Sequence, residues 1–337
     1  MSSPAQTVRY TQRIRWIILF VVLSCIGIVL SILFGSHSLT LHDIWSALTG
    51  HSSGIEEKII WEQRIPRTLL AILCGAALAV SGSLMQSLTR NPLAEPGLLG
   101  INAGASVTVV LSVIFWGVLS IGHYLIASFI GASIAAVAVY FLGQGTNHSI
   151  VRLALAGVAI SAALSALNQA LILSNQDAFN EFRFWVAGSL EARDMSIVYA
   201  VAPVIGVGLI LAFVVTPAIH ALSLGEEAAI ALGVHVRRTQ FLSLLAVTLL
   251  AGSATAAIGP ISFVGLAVPF IVRYVLGNDV RWVTSGSALV GPLWLLLADV
   301  IARIIIAPQE TQVGIIATLV GAPLFIVLMS RRKVDAL

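Results

Sequence analysis

The apolar stretch "LLADVIARIII", residues 296–306, holds the first two side chains whose types and spacing suit chemistry. Asp299 and Arg303 stand one helical turn apart, so they share a face and can pair. Ionisable groups at membrane depth are costly and usually functional. Two roles fit: a proton relay, or a structural ion pair near the outer end of a span. One acid is a thin basis for an autonomous ion-coupled pump, and the structural pair is the reading favoured. Other chemistries lack their residues. The two lysines, Lys58 and Lys333, lie outside any G-x-x-x-x-G-K-[ST] pattern, so no P-loop holds nucleotide phosphates. The seven histidines are scattered, several of them (His37, His51, His148) in polar joins, with no H-E-x-x-H and no His/Cys group at metal spacing. No nucleophile elbow or catalytic carboxylate pair occurs, which argues against an enzyme. Cys25 and Cys74 fall inside apolar runs and form no disulfide framework.

Composition says what must position these groups. Of 337 residues 58% are hydrophobic and 10% charged, with a mean hydropathy of +0.99. A soluble fold of this size could not hide that much apolar surface. At about 20 residues per spanning helix, the length allows roughly nine to eleven spans. The pI of 9.1 and charge of +3 do not point to nucleic acid, because no basic cluster exceeds Arg331-Arg332-Lys333, which reads as cytoplasmic anchoring. "VLSC" at 22–25 is followed by further apolar chain, so a first span is preferred to a lipoprotein site or a cleaved signal.

The expected fold is all-α. Ten apolar segments are read at 15–35, 66–88, 97–117, 121–142, 151–173, 197–217, 239–258, 261–276, 284–306 and 312–330. The eighth is short and contains Pro269, so it should be broken or tilted. With the N-terminus inside, 12 basic residues fall on the cytoplasmic side and 6 outside, which sets both termini inside. Three non-spanning pieces remain. Residues 36–64 form an outer loop with a short helix in "HDIWSAL". Residues 174–196 mix charge with aromatics, as in a helix lying at the outer membrane surface. Residues 218–238 form an inner segment whose helix starts near Ser223, Gly225 and the Glu226-Glu227 pair and stops at Gly233.

Stripes of small residues such as "GAALAVSGSL" and "LLAGSATAAIG" let helices approach closely. Ser161, Ser165 and Asn168 either pack helices or line a mildly polar passage. "GPISFVGLAVP" at 259–269 echoes "RNPLAEPGLLG" at 90–100. On the ten-span reading the flanking segments run in opposite directions, as an inverted repeat requires. In the stretch 90–104, Pro92 and Pro96 cannot donate backbone hydrogen bonds and so end and restart helices, while Gly97 and Gly100 permit tight packing.

These motifs carry a resemblance. "RIPRTLLAILCGAALAVSGSLMQSLTRNPLAEPGLLGINAGAS", "LSLGEEAAIALGV", "GPISFVGLAVPFIVR", "LLLADVIAR" and "VGIIATLVGAPLFIVLMSRR" occur in the order found in the FecCD-type permease family of iron-siderophore and cobalamin ABC importers. The resemblance spans about residues 15–333 and is strongest to ferric-enterobactin permease subunits. It implies a type II ABC importer permease fold, a single permease domain over 1–337, and a bacterial inner-membrane location. It further implies a second permease subunit (paralogous or identical), two cytoplasmic ATPase subunits that bind the ATP and Mg, and an outer siderophore-binding protein. No cofactor is implied in this chain. The implied cargo is a ferric siderophore of catecholate type; cobalamin or haem, or an ion-coupled transporter acting alone, stay open as alternatives. By position, Arg64, Arg67 and Arg303 match outer arginines that meet acidic residues of the binding protein. Gly225, Glu226, Glu227, Ala228, Leu232 and Gly233 match the ATPase-coupling segment, and Asn91, Pro92 and Leu93 match a cytoplasmic gate. Phe270 departs from the His common after the "VP" of the eighth span.

Overall fold

A computed structural model describes residues 10–35, 42, 45–46, 54–118, 120–143 and 150–331. Each of the ten apolar segments is a helix: α1 (Tyr10–Leu33), α2 (Ile65–Thr89), α3 (Ile101–Trp116), α4 (Ile121–Gly143), α5 (Ile150–Ser174), α7 (Met195–Ser223), α9 (Val236–Ile258), α10 (Val264–Leu276), α11 (Val280–Ile304) and α12 (Val313–Arg331). Two further helices, α6 (Gln176–Val186) and α8 (Glu226–Ala231), lie in the non-spanning pieces expected at 174–196 and 218–238. No strand occurs among the described residues. The helix expected in "HDIWSAL" falls mostly outside them.

Eight of the ten apolar helices are long enough to cross a bilayer. The exceptions are α3 and α10, with 16 and 13 residues. At 1.5 Å per residue they reach about 24 and 20 Å, short of a hydrocarbon core of about 30 Å. Each is completed by irregular chain. A 3-10 turn, Pro96–Leu99, leads into α3, and the non-helical stretch 259–263 leads into α10. The two Gly/Pro breaks that echo each other in sequence also meet in space, because a Cβ on Gly265 would stand 3.0 Å from Pro96 Cδ.

Two boundaries differ from the sequence reading. Chain expected as outer loop is helical from Ile55, through a π-helical segment Ile59–Arg64, directly into α2. Glu56, Glu57, Lys58 and Glu62 make this stretch polar enough to resemble a loop, yet all are good helix formers. At the other end of the bundle α7 runs through Pro217 to Ser223. Ser223 therefore closes α7, its hydroxyl donating to His220 O at 2.6 Å, and does not cap the next helix.

The core is built around α2, buried along nearly its whole length and packed by α7, α9, α10 and α11. Its small side chains allow backbone contact. A Cβ on Gly75 would lie 2.5 Å from Gly291 O of α11, and a Cβ on Gly82 would overlap the Gly265 carbonyl of α10. By contrast α1 and α5 keep broad apolar faces exposed, including Ile18, Val29, Leu155 and Leu167, as suits lipid or a neighbouring subunit. Gly82→Val is expected to force α2 and α10 apart and cost about 1–3 kcal/mol, the usual range for overpacking. Gly206→Ala on α7 meets nothing within 4 Å and should raise the unfolding midpoint in detergent slightly, since Ala favours a helix over Gly by up to about 1 kcal/mol.

Candidate functional site

Arg64, Arg67, Asp299 and Arg303 converge at the N-terminal end of α2. Arg67 Nε and Nη2 both reach Asp299 Oδ1 at 2.8 Å, and its Nη1 donates to Glu310 Oε2 at 2.6 Å. Arg303 Nη2 donates to Asp299 Oδ2 at 2.5 Å, so one carboxylate bridges two guanidinium groups. The Asp299–Arg303 pair expected from spacing thus forms, as part of a larger cluster. Its extra members are Glu310 in the turn after α11, Ser31 of α1 and Thr68 of α2, whose hydroxyls lie 2.8 Å apart.

Among the described residues the cluster holds three arginines and two carboxylates, and α1 supplies further acceptors. The last carbonyls of a helix have no intrahelical partner and carry partial negative charge. Arg303 Nη1 donates to Ser31 O and Phe34 O, both at 3.0 Å. Arg64 Nη1 donates to Ile32 O and, at 2.8 Å, to Leu33 O. Two arginines from distant segments therefore cap the C-terminus of α1. All three arginines are buried, with Arg64 at 4%, Arg67 at 8% and Arg303 at 2% exposure, and Asp299 is fully enclosed. Arg67 also borders an open cavity of about 1050 Å³, with Glu62, Glu191, Arg193, Asp194 and Glu310 around it. There Asp194 caps α7, and hydrogen bonds from the Ser196 side chain and from Ser196 and Ile197 N–H hold its carboxyl below the usual range.

At the far end of α2 the chain turns through Arg90, which takes the left-handed conformation (φ 51°) and donates to Leu222 O at 2.5 Å. Asn91 Oδ1 accepts from Leu93 N at 2.9 Å and Asn91 O accepts from Ala94 N at 3.1 Å, closing a compact turn over Pro92. Asn91 thereby shapes the turn, and Leu93 is left 51% exposed at its tip.

The 218–238 segment lies at this same end, where Arg90 meets Leu222. Gly225 precedes α8, and the helix stops in a Schellman arrangement: Gly233 N donates to Ile230 O at 2.9 Å and Val234 N to Ala229 O at 2.9 Å. Gly233 sits at φ 82°, a region costly for other residues, which explains a glycine there. Only Ala229 points inward. Glu226, Glu227, Ala228 and Leu232 face solvent, joined by Leu224 and Ile230, which sequence reasoning passed over. The result is a rigid protruding knob with an acidic first turn and three exposed aliphatic side chains.

A fourth feature lies between α3, α5, α6 and the 95–98 turn. Ser161, Ser165 and Asn168 of α5 line one groove of about 490 Å³, together with Glu95, Asn102 and Ser106. Burial pushes the Glu95 carboxyl above its ordinary pKa. Phe270, the departure from the family pattern, is buried and packs edge-on against Phe325 with ring centroids 5.5 Å apart.

A bundle of apolar helices locked by a buried ion cluster at one end and carrying a stiff exposed knob at the other defines a multi-pass membrane permease. The chain belongs to the FecCD transport family, which it matches over residues 17–331. It is 42% identical to the ferric enterobactin transport system permease protein FepD of Escherichia coli (strain K12), over 91% of this chain and 92% of that protein. It is 37% identical to the probable siderophore transport system permease protein YfiZ of Bacillus subtilis (strain 168), over 94% and 96%. A solved metal-chelate type ABC transporter in an inward-facing conformation superposes with a TM-score of 0.84 at 26% identity, over 94% of this chain and 99% of that one.

Proposed function

We propose that this chain is the membrane-spanning permease subunit of a bacterial inner-membrane importer that moves a ferric siderophore, of catecholate type, into the cytoplasm. ATP and Mg are bound by two separate ATPase subunits, and an outer binding protein delivers the cargo. The observation that carries this reading is the knob at 224–234. Its aliphatic and acidic side chains have no partner surface within the described chain, and its Schellman stop makes it stiff enough to transmit force. The likeness to FepD supports the choice of cargo.

On this reading Gly225, Glu226, Glu227, Ala228, Leu232 and Gly233 dock in the ATPase, with Leu224 and Ile230 adding apolar contact. Asn91, Pro92 and Leu93 form the cytoplasmic gate, Leu93 being the side chain that closes it. Arg64, Arg67 and Arg303 serve the binding protein mainly by bracing the outer face, and Arg67 is the one bordering an open cavity where an incoming carboxylate could compete with Glu310. Such charge pairs govern docking orientation and encounter rate more than affinity.

Copurification tests the assembly. The tagged chain, extracted from native membranes, should carry a second permease and two ATPase copies in its native mass. A chain that purifies alone yet binds and transports the chelate would overturn the proposal.

A further inference from the structure

The groove between α3, α5 and α6 has a one-sided chemistry. Among the described residues Glu95 is the only ionisable side chain lining it, and no lysine, arginine or histidine does. Among the described residues no hydrogen bond or ion pair reaches the Glu95 carboxylate. Its Oε1 and the Asn102 Nδ2 stand 3.2 and 3.7 Å from where a Cβ of Gly97 would be, so both hang over the same bare patch of backbone. Asn168 is 5% exposed and its Oδ1 has no hydrogen-bond partner. Two nearby polar groups are already engaged: Asn102 Oδ1 accepts from Thr255 Oγ1 at 3.1 Å, and Ser106 Oγ donates to Asn102 O at 2.7 Å. Of the side-chain atoms lining the groove, Asn168 Oδ1 is the one buried without a partner among the described residues, and a buried unpaired acceptor is costly unless a donor meets it. Phe182, Val186 and Pro260 supply the apolar part of the lining.

We propose that this groove is a cargo-orienting subsite that receives hydrogen-bond donors of the chelate's organic frame, amide N–H or hydroxyl groups, through Glu95 and Asn168. The anionic oxygens that hold the metal are disfavoured beside Glu95 and turn away from it. This rests on the reading of the chain as an importer permease, and it makes Glu95 and Asn168 specificity residues within that role.

The test uses the complete reconstituted complex and its binding protein, preloaded in turn with a ferric catecholate amide and with the same chelate N-methylated at its amides. The wild type should import the N-methylated chelate about tenfold more slowly, because a site built to receive a donor rejects an analogue that lacks it. In Glu95→Leu/Asn168→Leu the two rates should converge, while ATP hydrolysis stimulated by docking of the binding protein stays normal. Should that double variant fail to assemble, Glu95→Leu and Asn168→Leu are assayed singly, and each should narrow the ratio. Undiminished discrimination in assembled variants, or equal rates in the wild type, would overturn the subsite. A wild-type complex that imports neither chelate with ATP would instead refute the importer reading on which it rests.

Discussion

Asp299→Ala is expected to destabilise the chain by about 3–5 kcal/mol, the range for removing one partner of a buried ion pair. The carboxylate receives hydrogen bonds from both Arg67 and Arg303, and both guanidinium groups are buried, Arg303 almost fully enclosed and Arg67 at the edge of the open cavity. The damage should spread beyond the pair, because Arg303 also holds the final carbonyls of α1 against α11. Asp299→Asn keeps one acceptor oxygen for one arginine but turns an NH2 donor toward the other, so it should recover only part of the loss expected for Asp299→Ala. Denaturant unfolding in detergent reads both values. A loss within about 1 kcal/mol for the alanine variant, as for an exposed pair, would show that water reaches the cluster.

Charge reversal of the knob, Glu226→Lys with Glu227→Lys, is expected to leave the bundle intact and to break the link between ATP hydrolysis and uptake. Both carboxylates are exposed in the first turn of α8. Each contributes only about 0.3–1 kcal/mol to its own helix through the dipole, so reversal hardly disturbs the fold. At an interface the same change places like charges together, which costs several kcal/mol. Uptake per ATP hydrolysed should fall at least about tenfold, the equivalent of about 1.4 kcal/mol. Gly233→Val should act in the same direction by straining the Schellman stop. Normal coupling in both variants would remove the knob from the ATPase interface.

The helices themselves were readable from sequence because long apolar runs bounded by Pro, Gly and charge leave little choice in lipid. All ten segments became helices; the short eighth starts only at Val264, after the Gly259-Pro260 join, and runs unbroken through Pro269, where a break was expected. The two breaks around α3 and α10 were legible as interruptions, but not that they touch. The segment 55–64 was misread because its charges hid a helix that continues α2. Spacing revealed the Asp299–Arg303 pair and nothing of Arg67, which lies 232 residues away from Asp299 in the chain. Glu310 gave no signal beyond being one acid in a polar turn. Ser223 looked like a cap because its neighbours suit a helix start, yet the helix before it simply runs longer. Only the fold shows that, among the described residues, no cation lines the groove beside Glu95. Motif resemblance supplied roles for Arg64, Arg67 and Arg303, whereas the structure adds that all three are buried and that Arg64 and Arg303 cap α1.

Transport from the lumen of proteoliposomes to the bath tests the central claim most directly. The chain, its partner permease and the ATPase subunits are reconstituted with the ATPases facing the bath, and binding protein loaded with iron-55 chelate is enclosed in the lumen. Accumulation of iron outside the vesicles should require ATP and Mg, stop with vanadate, and be indifferent to collapse of proton and sodium gradients. Transport by this chain alone, driven by an ion gradient without ATP, would contradict the account.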